Sequence, residues 1–395
     1  MSVMGKADSP QPVSGQSSCE LLIVGGGIMG LWAAVHAERR GIRTVIADAG
    51  RLGGGASGGL LGALMPHMPD RWSEKKQFQF DALVSLEAEI AALEAEAGLS
   101  AGYRRSGRLI PLPKPHLNKI AQGHCEDAEH HWQAGERRFH WHVLDRPPVS
   151  GWIEDSAGGS GFVHDTLAAR VAPRLLIAAL VAFLQRAKHV RIVEHATVAA
   201  LDPDRGTAVI GGESVVFDQC MLAAGHQSFP LLDALTPGLK QPLGQPVKGQ
   251  AALLKADIDP ALPTIFLDGL YIVAHEGGYA AIGSTSENRF DDPASTDAQL
   301  DRLIEMARGF APDLREAPVV ERWAGLRPKA IDRDPMIGRH PGHPRLVALT
   351  GGFKVSFGLA HRLAEAAVCI ADDTDCEFLL PESFAISSHI AVASR

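Results

Sequence analysis

The stretch Glu20-Leu-Leu-Ile-Val-Gly-Gly-Gly-Ile-Met-Gly30 contains the features that decide the fold. Its apolar part, residues 20–24, predicts a short β-strand buried on both faces. Three glycines follow at once in the spacing Gly25-x-Gly27-x-x-Gly30, and the residues after them predict a helix. In such a turn the first glycine allows the tight bend. The second lets the backbone approach a pyrophosphate, and the third permits close helix–strand packing.

The residues after this helix continue the same pattern. Thr44-Val-Ile-Ala47 predicts a second buried strand, and Asp48 follows it, where a ribose-binding carboxylate is expected. Strand, glycine turn, helix, strand and terminal acid together predict a dinucleotide site, with the phosphates at the N-terminus of the helix. The alternative is a glycine turn followed by a structural, buried aspartate.

Two later features favour FAD over NAD, although both cofactors share this fingerprint. One is a second glycine-rich loop, residues 53–62, which follows Asp48. The other is Gly351-Gly352, which follows an apolar strand and precedes a helix predicted over 356–370. The flavin end of FAD is long, and we expect it to require a second helix N-terminus near the ring.

The order of these units predicts an α/β fold: a Rossmann-type FAD-binding domain with an inserted substrate domain built on an antiparallel sheet. Residues 236–290 alternate apolar and polar side chains with Pro and Gly between them, which is typical of antiparallel strands. Residues 101–150 predict irregular structure. The expected division of the chain is a disordered tail (1–18), a discontinuous FAD-binding domain (19–100, 151–235 and 318–395) and a substrate-binding domain (101–150 and 236–317).

Composition excludes several classes of protein. The 395 residues carry a formal net charge of −8, whereas a nonspecific nucleic-acid binder would be basic. No apolar run reaches 18 residues, so we expect no stable membrane insertion. Five scattered cysteines without a CxxC pair argue against a disulfide framework or structural zinc, and indicate a reducing, cytoplasmic location. The histidines of residues 124–142 match no standard zinc spacing, and no metal is expected.

Six segments, in this order, resemble the FAD-dependent amine and amino-acid oxidases of the D-amino-acid oxidase superfamily, and within it the glycine oxidase-like members. The resemblance covers almost the whole chain after residue 18. The segments are 23–30, 54–64, 221–225 together with Ser228, PVKGQ at 246–250, the hairpin 271–285, and WAGLRP at 323–328 continuing through 338.

The resemblance implies a flavoenzyme that oxidises the C–N bond of a small amino acid or N-alkyl amino acid. Hydride passes from the α-carbon to N5 of FAD, and the resulting imine hydrolyses. Oxygen or another acceptor takes the electrons. Two alternatives stay open: an FAD-dependent dehydrogenase of an amino or 2-hydroxy acid with a quinone or protein acceptor, and a non-catalytic FAD-binding subunit. Whether the chain forms a homo-oligomer is also open.

The resemblance also implies which side chains meet the substrate. Arg327 matches the arginine that clamps the substrate carboxylate, a task that suits its planar fork of donors. Tyr271 matches a substrate-contacting tyrosine. Lys354 stands where relatives carry an arginine near substrate and flavin, so it keeps the charge and loses the fork. His67, after the flavin loop, is expected to be an ordinary loop histidine and not a covalent attachment point.

The residues expected to hold FAD belong to the first glycine turn, the second strand end, the flavin loop and the later strand ends. Val198 is included because the resemblance places its backbone against adenine. The full set is Gly25, Gly27, Ile28, Met29, Gly30, Asp48, Ala56, Ser57, Gly58, Leu61, Gly62, Val198, Ala224, Gly225, Gly338, Gly352, Phe353 and Lys354.

Overall fold

The computed structural model describes residues 17–395 and has the predicted fold class, with one largely parallel sheet and one largely antiparallel sheet. The expected tail, residues 1–18, falls mainly outside the described residues. Its last two residues, Ser17 and Ser18, already belong to the first strand. No helix in the described part of the chain is long and apolar enough to span a membrane.

The helices are numbered along the chain. They are α1 (Ile28–Arg39), α2 (Glu74–Ala97), α3 (Pro115–His131), α4 (Pro173–Leu184), α5 (Ser228–Leu235), α6 (Ala298–Phe310), α7 (Ser356–Ala371) and α8 (Ile386–Ala393). The longest of these, α2, has capping residues at both ends. Ser73 caps its N-terminus by accepting a hydrogen bond from the backbone of Lys76, and Gly98 ends it at φ +69°.

The strands are numbered in the same way. They are β1 (Ser17–Val24), β2 (Thr44–Ala47), β3 (Ala63–Leu64), β4 (Arg108–Pro111), β5 (Gln133–Ala134), β6 (Arg137–Arg138), β7 (Trp141–Leu144), β8 (Phe162–Asp165), β9 (Ala169–Arg170), β10 (Val190–Val193), β11 (Val198–Asp202), β12 (Thr207–Ile210), β13 (Glu213–Leu222), β14 (Gly244–Lys255), β15 (Thr264–Leu267), β16 (Leu270–His275), β17 (Tyr279–Gly283), β18 (Val319–Ala330), β19 (Met336–His340) and β20 (His343–Thr350).

The first sheet has a parallel centre in the order β10-β2-β1-β13-β20, with β11, β12 and β19 added antiparallel. Strand β1 lies between β2 and β13. Leu21 and Ile23 pack into one hydrophobic cluster, while Leu22 and Val24 pack into another on the opposite face. Burial of both faces explains why this strand is continuously apolar and does not alternate. Helix α1 is buried along residues 28–37, where it packs against α7.

The second sheet has the order β18-β14-β17-β16-β15-β4-β8-β7 and is antiparallel except between β15 and β4. Helix α6 covers it with Leu300, Ile304 and Ala307, in keeping with the antiparallel layer predicted for the inserted domain. Two two-stranded pairs, β3 with β9 and β5 with β6, complete the described pairing.

The expectation of irregular structure over 101–150 is wrong, because these residues form α3 and strands β4 to β7. Strands β8 and β18 also lie in the second sheet, although the expected boundaries placed residues 151–235 and 318–395 in the FAD-binding domain. Strand β18 belongs to the second sheet because it pairs antiparallel with β14 along almost its whole length.

Two buried histidines connect α1, α2 and α7. His36 Nε2 donates to the backbone oxygen of His361 at 3.0 Å, and His361 Nε2 lies 3.0 Å from Ser85 Oγ. Burial lowers the pKa of His36 to about 4 and that of His361 to about 3. Both rings are therefore neutral in the folded chain over the range in which an exposed histidine gains a proton.

We expect the free energy of unfolding to fall as the pH drops from about 6.5 towards 4, because only the unfolded chain protonates these rings in that window. Each histidine contributes on the order of 1 kcal/mol per pH unit. His361→Gln removes one titrating group and should flatten the slope of stability against pH, measured by urea unfolding. The exposed His116→Gln serves as the control, and equal slopes in wild type and His361→Gln would contradict the assignment.

Candidate active site

A cavity of about 990 Å³ is lined by residues of both large sheets. At one end it meets the ends of β1 and β2, and at the other it meets β14, β16 and β18. Its volume lies at the upper end of the range typical of small-molecule and cofactor sites.

The first glycine turn brings three backbone segments into close contact. Gly25 has φ +107°, and a methyl group at its Cα would lie 2.5 Å from Ala224 Cα. A methyl group on Gly30 would lie 2.0 Å from the Gly25 carbonyl oxygen. These two positions exclude any side chain because the backbone itself occupies the space.

Gly27 differs, because the protein leaves the space beside it open. It lines the cavity at the N-terminus of α1, and a methyl group there would approach only Ser57 Oγ, at 3.4 Å. Ser57 Oγ accepts a hydrogen bond of 2.9 Å from the backbone of Ile28. Open space next to the positive end of a helix fits a bound pyrophosphate.

The carboxylate of Asp48 is held in one orientation at the end of β2. Its Oδ2 accepts from the backbone of Gly26 and its Oδ1 from that of Gly50, each at 2.7 Å. Asp48 lines the cavity together with Thr197 and Val198. The sequence predicts that Asp48 and Val198 meet the adenosine end of FAD, and both line this end of the cavity.

The flavin loop also reaches the cavity. Ala56, Ser57, Leu61 and Gly62 line it. A residue that sequence analysis did not single out, His275, fixes this loop by donating from Nε2 to the carbonyls of Leu60 and Leu61, both at 3.1 Å. Burial lowers the pKa of His275 to about 4, so the ring is neutral. The available signal in the sequence was a histidine that directly follows the apolar residues of β16.

Arg327 lies on β18 at the other end of the cavity. Its Nη1 donates to Ser284 Oγ at 3.0 Å, and its Nη2 donates to the carbonyl oxygens of Thr285 and Lys248. Its Nε is buried and has no partner. Among the described residues no carboxylate forms an ion pair with this guanidinium, so its charge remains available to a ligand. Burial lowers its pKa, partly offset by Tyr271 and Glu287.

Gly249 on β14 makes room for this arginine and was not identified from the sequence as a site residue. A methyl group on Gly249 would lie 2.3 Å from Arg327 Nη2 and 2.6 Å from its Cζ. The guanidinium therefore lies across the bare backbone of the neighbouring strand. The signal in the sequence was a glycine inside a strand, which often marks a close approach.

The remaining substrate-side residues surround Arg327. The Phe353 ring centroid lies 5.6 Å from Arg327 Cζ and 5.7 Å from Lys354 Nζ. Burial, then the charges of Arg327 and Arg333, lowers the pKa of Lys354. Tyr271 lines the cavity, and its burial raises its pKa.

The structure brings most predicted cofactor residues to the cavity, and Gly25, Ile28, Met29, Ala224 and Gly225 are among them. Four predicted residues do not line it: Gly30, Gly58, Gly338 and Gly352. Each has another environment in the described chain. Gly30 packs against the Gly25 backbone, and a methyl group on Gly352 would lie 2.3 Å from Met29 Cε.

Gly58 and Gly338 complete this set. The Gly58 carbonyl accepts from Arg174 Nε at 2.9 Å. Gly338 has φ +127° and faces Ile386. His67, which was expected to be a loop histidine, lines the cavity and is exposed.

The histidine-rich segment is arranged around tryptophans. The His131 ring stacks on Trp72 with centroids 4.5 Å apart, and His124 meets Trp141 edge-on at 5.3 Å. In residues 17–395 no group of three His, Cys, Asp or Glu side chains is arranged to hold a metal ion.

Comparison with known proteins identifies a family match over residues 20–366, described as FAD dependent oxidoreductase. The chain is similar to glycine oxidase of Pseudomonas putida, at 30% identity over 87% of this chain and 92% of that protein. It is 25% identical to glycine oxidase of Bacillus subtilis, over 86% and 89% of the two chains. In fold it matches the crystal structure of glycine oxidase from Geobacillus kaustophilus, with TM-score 0.81, 22% identity and coverage of 94% and 99%.

Replacing Gly27 or Gly30 of the turn by alanine should have different effects. Gly27→Ala fills open space beside the helix N-terminus, so we expect the Kd for FAD to rise at least about tenfold. The melting temperature of the FAD-free protein should change little. Gly30→Ala should instead lower that melting temperature, because its methyl group meets a backbone carbonyl. Flavin content and thermal unfolding measure both effects, and identical behaviour of the two variants would contradict this distinction.

Gly249→Ala should displace the Arg327 guanidinium without reaching the nucleotide end. We expect KM for the substrate to rise on the order of tenfold or more, with normal flavin content, because a bidentate clamp is sensitive to small shifts. Gln245→Ala, on an exposed position of the same strand, is the matched control. Steady-state kinetics decide the outcome, and an unchanged KM in Gly249→Ala would show that the guanidinium does not depend on this glycine.

Proposed function

The chain belongs to the family of FAD-dependent oxidoreductases, and from this membership and the site we propose that it oxidises the C–N bond of a small amino acid or N-alkyl amino acid. FAD is its cofactor. When bound, it accepts the hydride that leaves the α-carbon of the substrate. The glycine oxidases among the relatives support the choice of a C–N bond.

The observation that carries the proposal is that Arg327 forms no ion pair with a carboxylate of the described residues. Its partners are a hydroxyl and two backbone carbonyls, which are all neutral acceptors. A partly buried guanidinium without a contacting carboxylate is costly, and a substrate carboxylate would relieve that cost. We infer that Arg327 binds the α-carboxylate and thereby fixes the position of the adjacent α-carbon.

Tyr271 and Lys354 complete the substrate side of this proposal. The raised pKa of Tyr271 keeps its phenol protonated, so it can donate a hydrogen bond to the substrate carboxylate. Lys354 adds a positive charge near the Phe353 ring. Asp48, at the nucleotide end, is the single carboxylate among the described lining residues. No Asp or Glu among the described residues lines the substrate end of the cavity, which suits an amine that arrives neutral.

The predicted cofactor residues that line the cavity keep their proposed roles. Gly25, Gly27, Ile28 and Met29 would hold the pyrophosphate, and Asp48 the ribose. Residues 56–62 would cover the flavin. We further propose a discontinuous FAD-binding domain and a substrate-binding domain, with β8 and β18 assigned to the latter because of their pairing.

We also propose a cytoplasmic protein whose partners are a small amino acid or amine and an electron acceptor. None of the five cysteines forms a disulfide, which supports a reducing compartment. The net charge of −8 supports the absence of a nucleic-acid partner. Oxygen consumption during turnover would identify an oxidase, whereas turnover that requires a quinone would identify a dehydrogenase.

Anaerobic addition of amino acids to the holoenzyme tests the reaction. We expect the visible absorption of oxidised flavin to bleach, with release of ammonia or an amine. Bleaching by 2-hydroxy acids without such release would replace the proposal with hydroxy-acid oxidation. Flavin that no amino acid, amine or hydroxy acid bleaches would favour a non-catalytic subunit.

Arg327→Ala should lower kcat/KM at least about 100-fold while flavin content stays normal, because the variant loses a charge-assisted bidentate contact. Arg327→Lys should recover part of that loss, since it keeps the charge without the fork. Arg322→Ala is the control, because Arg322 lies on the same strand, is exposed and pairs with Asp301. Normal kinetics in Arg327→Ala would remove this residue from the substrate site.

A further inference from the structure

A second buried arginine, Arg108 on β4, lines the same cavity. Its side chain is 3% exposed. Its Nε donates to Asp165 Oδ2 at 2.5 Å, and its Nη1 donates to the Pro66 carbonyl at a long 3.3 Å. Its Nη2 is buried and has no hydrogen-bond partner. A guanidinium nitrogen left without an acceptor inside a protein requires an explanation.

Asp165 determines which edge of Arg108 remains available. The carboxylate is fully buried, and its second oxygen accepts from the backbone of Ala168 at 2.8 Å. Trp141 supports the guanidinium, with Arg108 Cζ 5.6 Å from the ring centroid. The Nε side is thus fixed by an ion pair, while the two terminal nitrogens hold one long contact and one vacant donor.

Tyr271 lies within the electrostatic field of both cavity arginines. Burial raises the pKa of its phenol, and the charges of Arg108 and Arg327 both act against that rise. Arg108, Arg327 and Tyr271 all line the same cavity. The charged side chains that line the substrate end of the cavity are positive: Arg108, Arg327 and Lys354. The lining carboxylate of Asp48 lies at the nucleotide end, where it accepts hydrogen bonds from two backbone amides.

We propose that Arg108 binds a second anionic group of the substrate, so that the site takes amino acids that carry two acidic groups. The inference rests on the proposed C–N oxidation and specifies its substrate class. Arg327 holds the α-carboxylate, and Arg108 offers its free terminal donor to the other acid. The second acid belongs either to the side chain, as in aspartate and glutamate, or to the substituent on nitrogen, as in N-carboxymethyl glycine.

Wild-type kinetics give the first test. We expect kcat/KM for at least one of the two-acid substrates to exceed that for glycine, sarcosine and alanine by about tenfold or more, as a good charge-assisted contact allows. Both enantiomers of each chiral substrate are measured. Preference for the nitrogen-substituted or the side-chain acid identifies the source of the second group. Equal or better turnover of the one-acid substrates would overturn the proposal.

Arg108→Lys tests the residue itself, because it keeps a cation beside Asp165 and loses the vacant donor. The ratio of two-acid to one-acid kcat/KM should fall about tenfold or more. Arg170→Lys is the matched control. Arg170 is also buried, pairs with Glu276 and has an unpartnered Nε, but it does not line the cavity. An unchanged ratio in Arg108→Lys, or an equal fall in Arg170→Lys, would refute the role of Arg108.

Binding without turnover separates this inference from the proposed function. Malonate and succinate, added to the wild-type holoenzyme, should perturb the flavin spectrum at lower concentration than acetate and propionate. If no amine reduces the flavin but these dicarboxylates still bind more tightly, the oxidation proposal fails and the anion site stands. If one-acid amines reduce the flavin and dicarboxylates bind no more tightly than monocarboxylates, the anion site fails alone.

Discussion

The structure depends on how closely the backbone segments approach one another at the first glycine turn. A single methyl group on Gly25 or Gly30 would overlap main-chain atoms of Ala224 or of Gly25 itself. This contact fixes helix α1 against strands β1 and β13, and so fixes the direction in which its N-terminus faces. Between these two tightly packed glycines, Gly27 faces open space at the N-terminus of the helix. One constraint thus produces both the sheet geometry and the anion-binding end of the cavity.

At the substrate end a glycine again allows a close approach, here between the side chain of one strand and the backbone of its neighbour. Arg327 on β18 lies across Gly249 on β14, and the carbonyls of Lys248 and Thr285 hold its fork. Backbone atoms thereby orient the side chain without neutralising its charge. A carboxylate in their place would compete with the substrate. The neutral acceptors keep the arginine both ordered and available.

Local patterns made much of this predictable. The glycine spacing and the apolar runs around it determine the first βαβ unit. Residues 101–150 were not predictable, because α3 is largely polar and the residues it buries fully are two small alanines, Ala121 and Ala128. The roles of Gly249 and Arg108 depend on partners far along the chain: Arg108 pairs with Asp165, 57 residues later. A glycine inside a strand is a local signal for Gly249, but it does not identify Arg327 as the partner, and the Arg108–Asp165 pair leaves no local signal.

The cavity also has a consequence for the amount of folded protein in a cell. About 990 Å³ of space runs among the residues that join the two sheets, a volume far larger than a packed interior tolerates. FAD therefore takes the place of core side chains as well as acting as the reagent. Since a ligand that binds only the folded state stabilises it by mass action, each tenfold rise in free FAD above its Kd adds about 1.4 kcal/mol. We therefore expect flavin supply to raise the folded fraction of the chain as well as its activity.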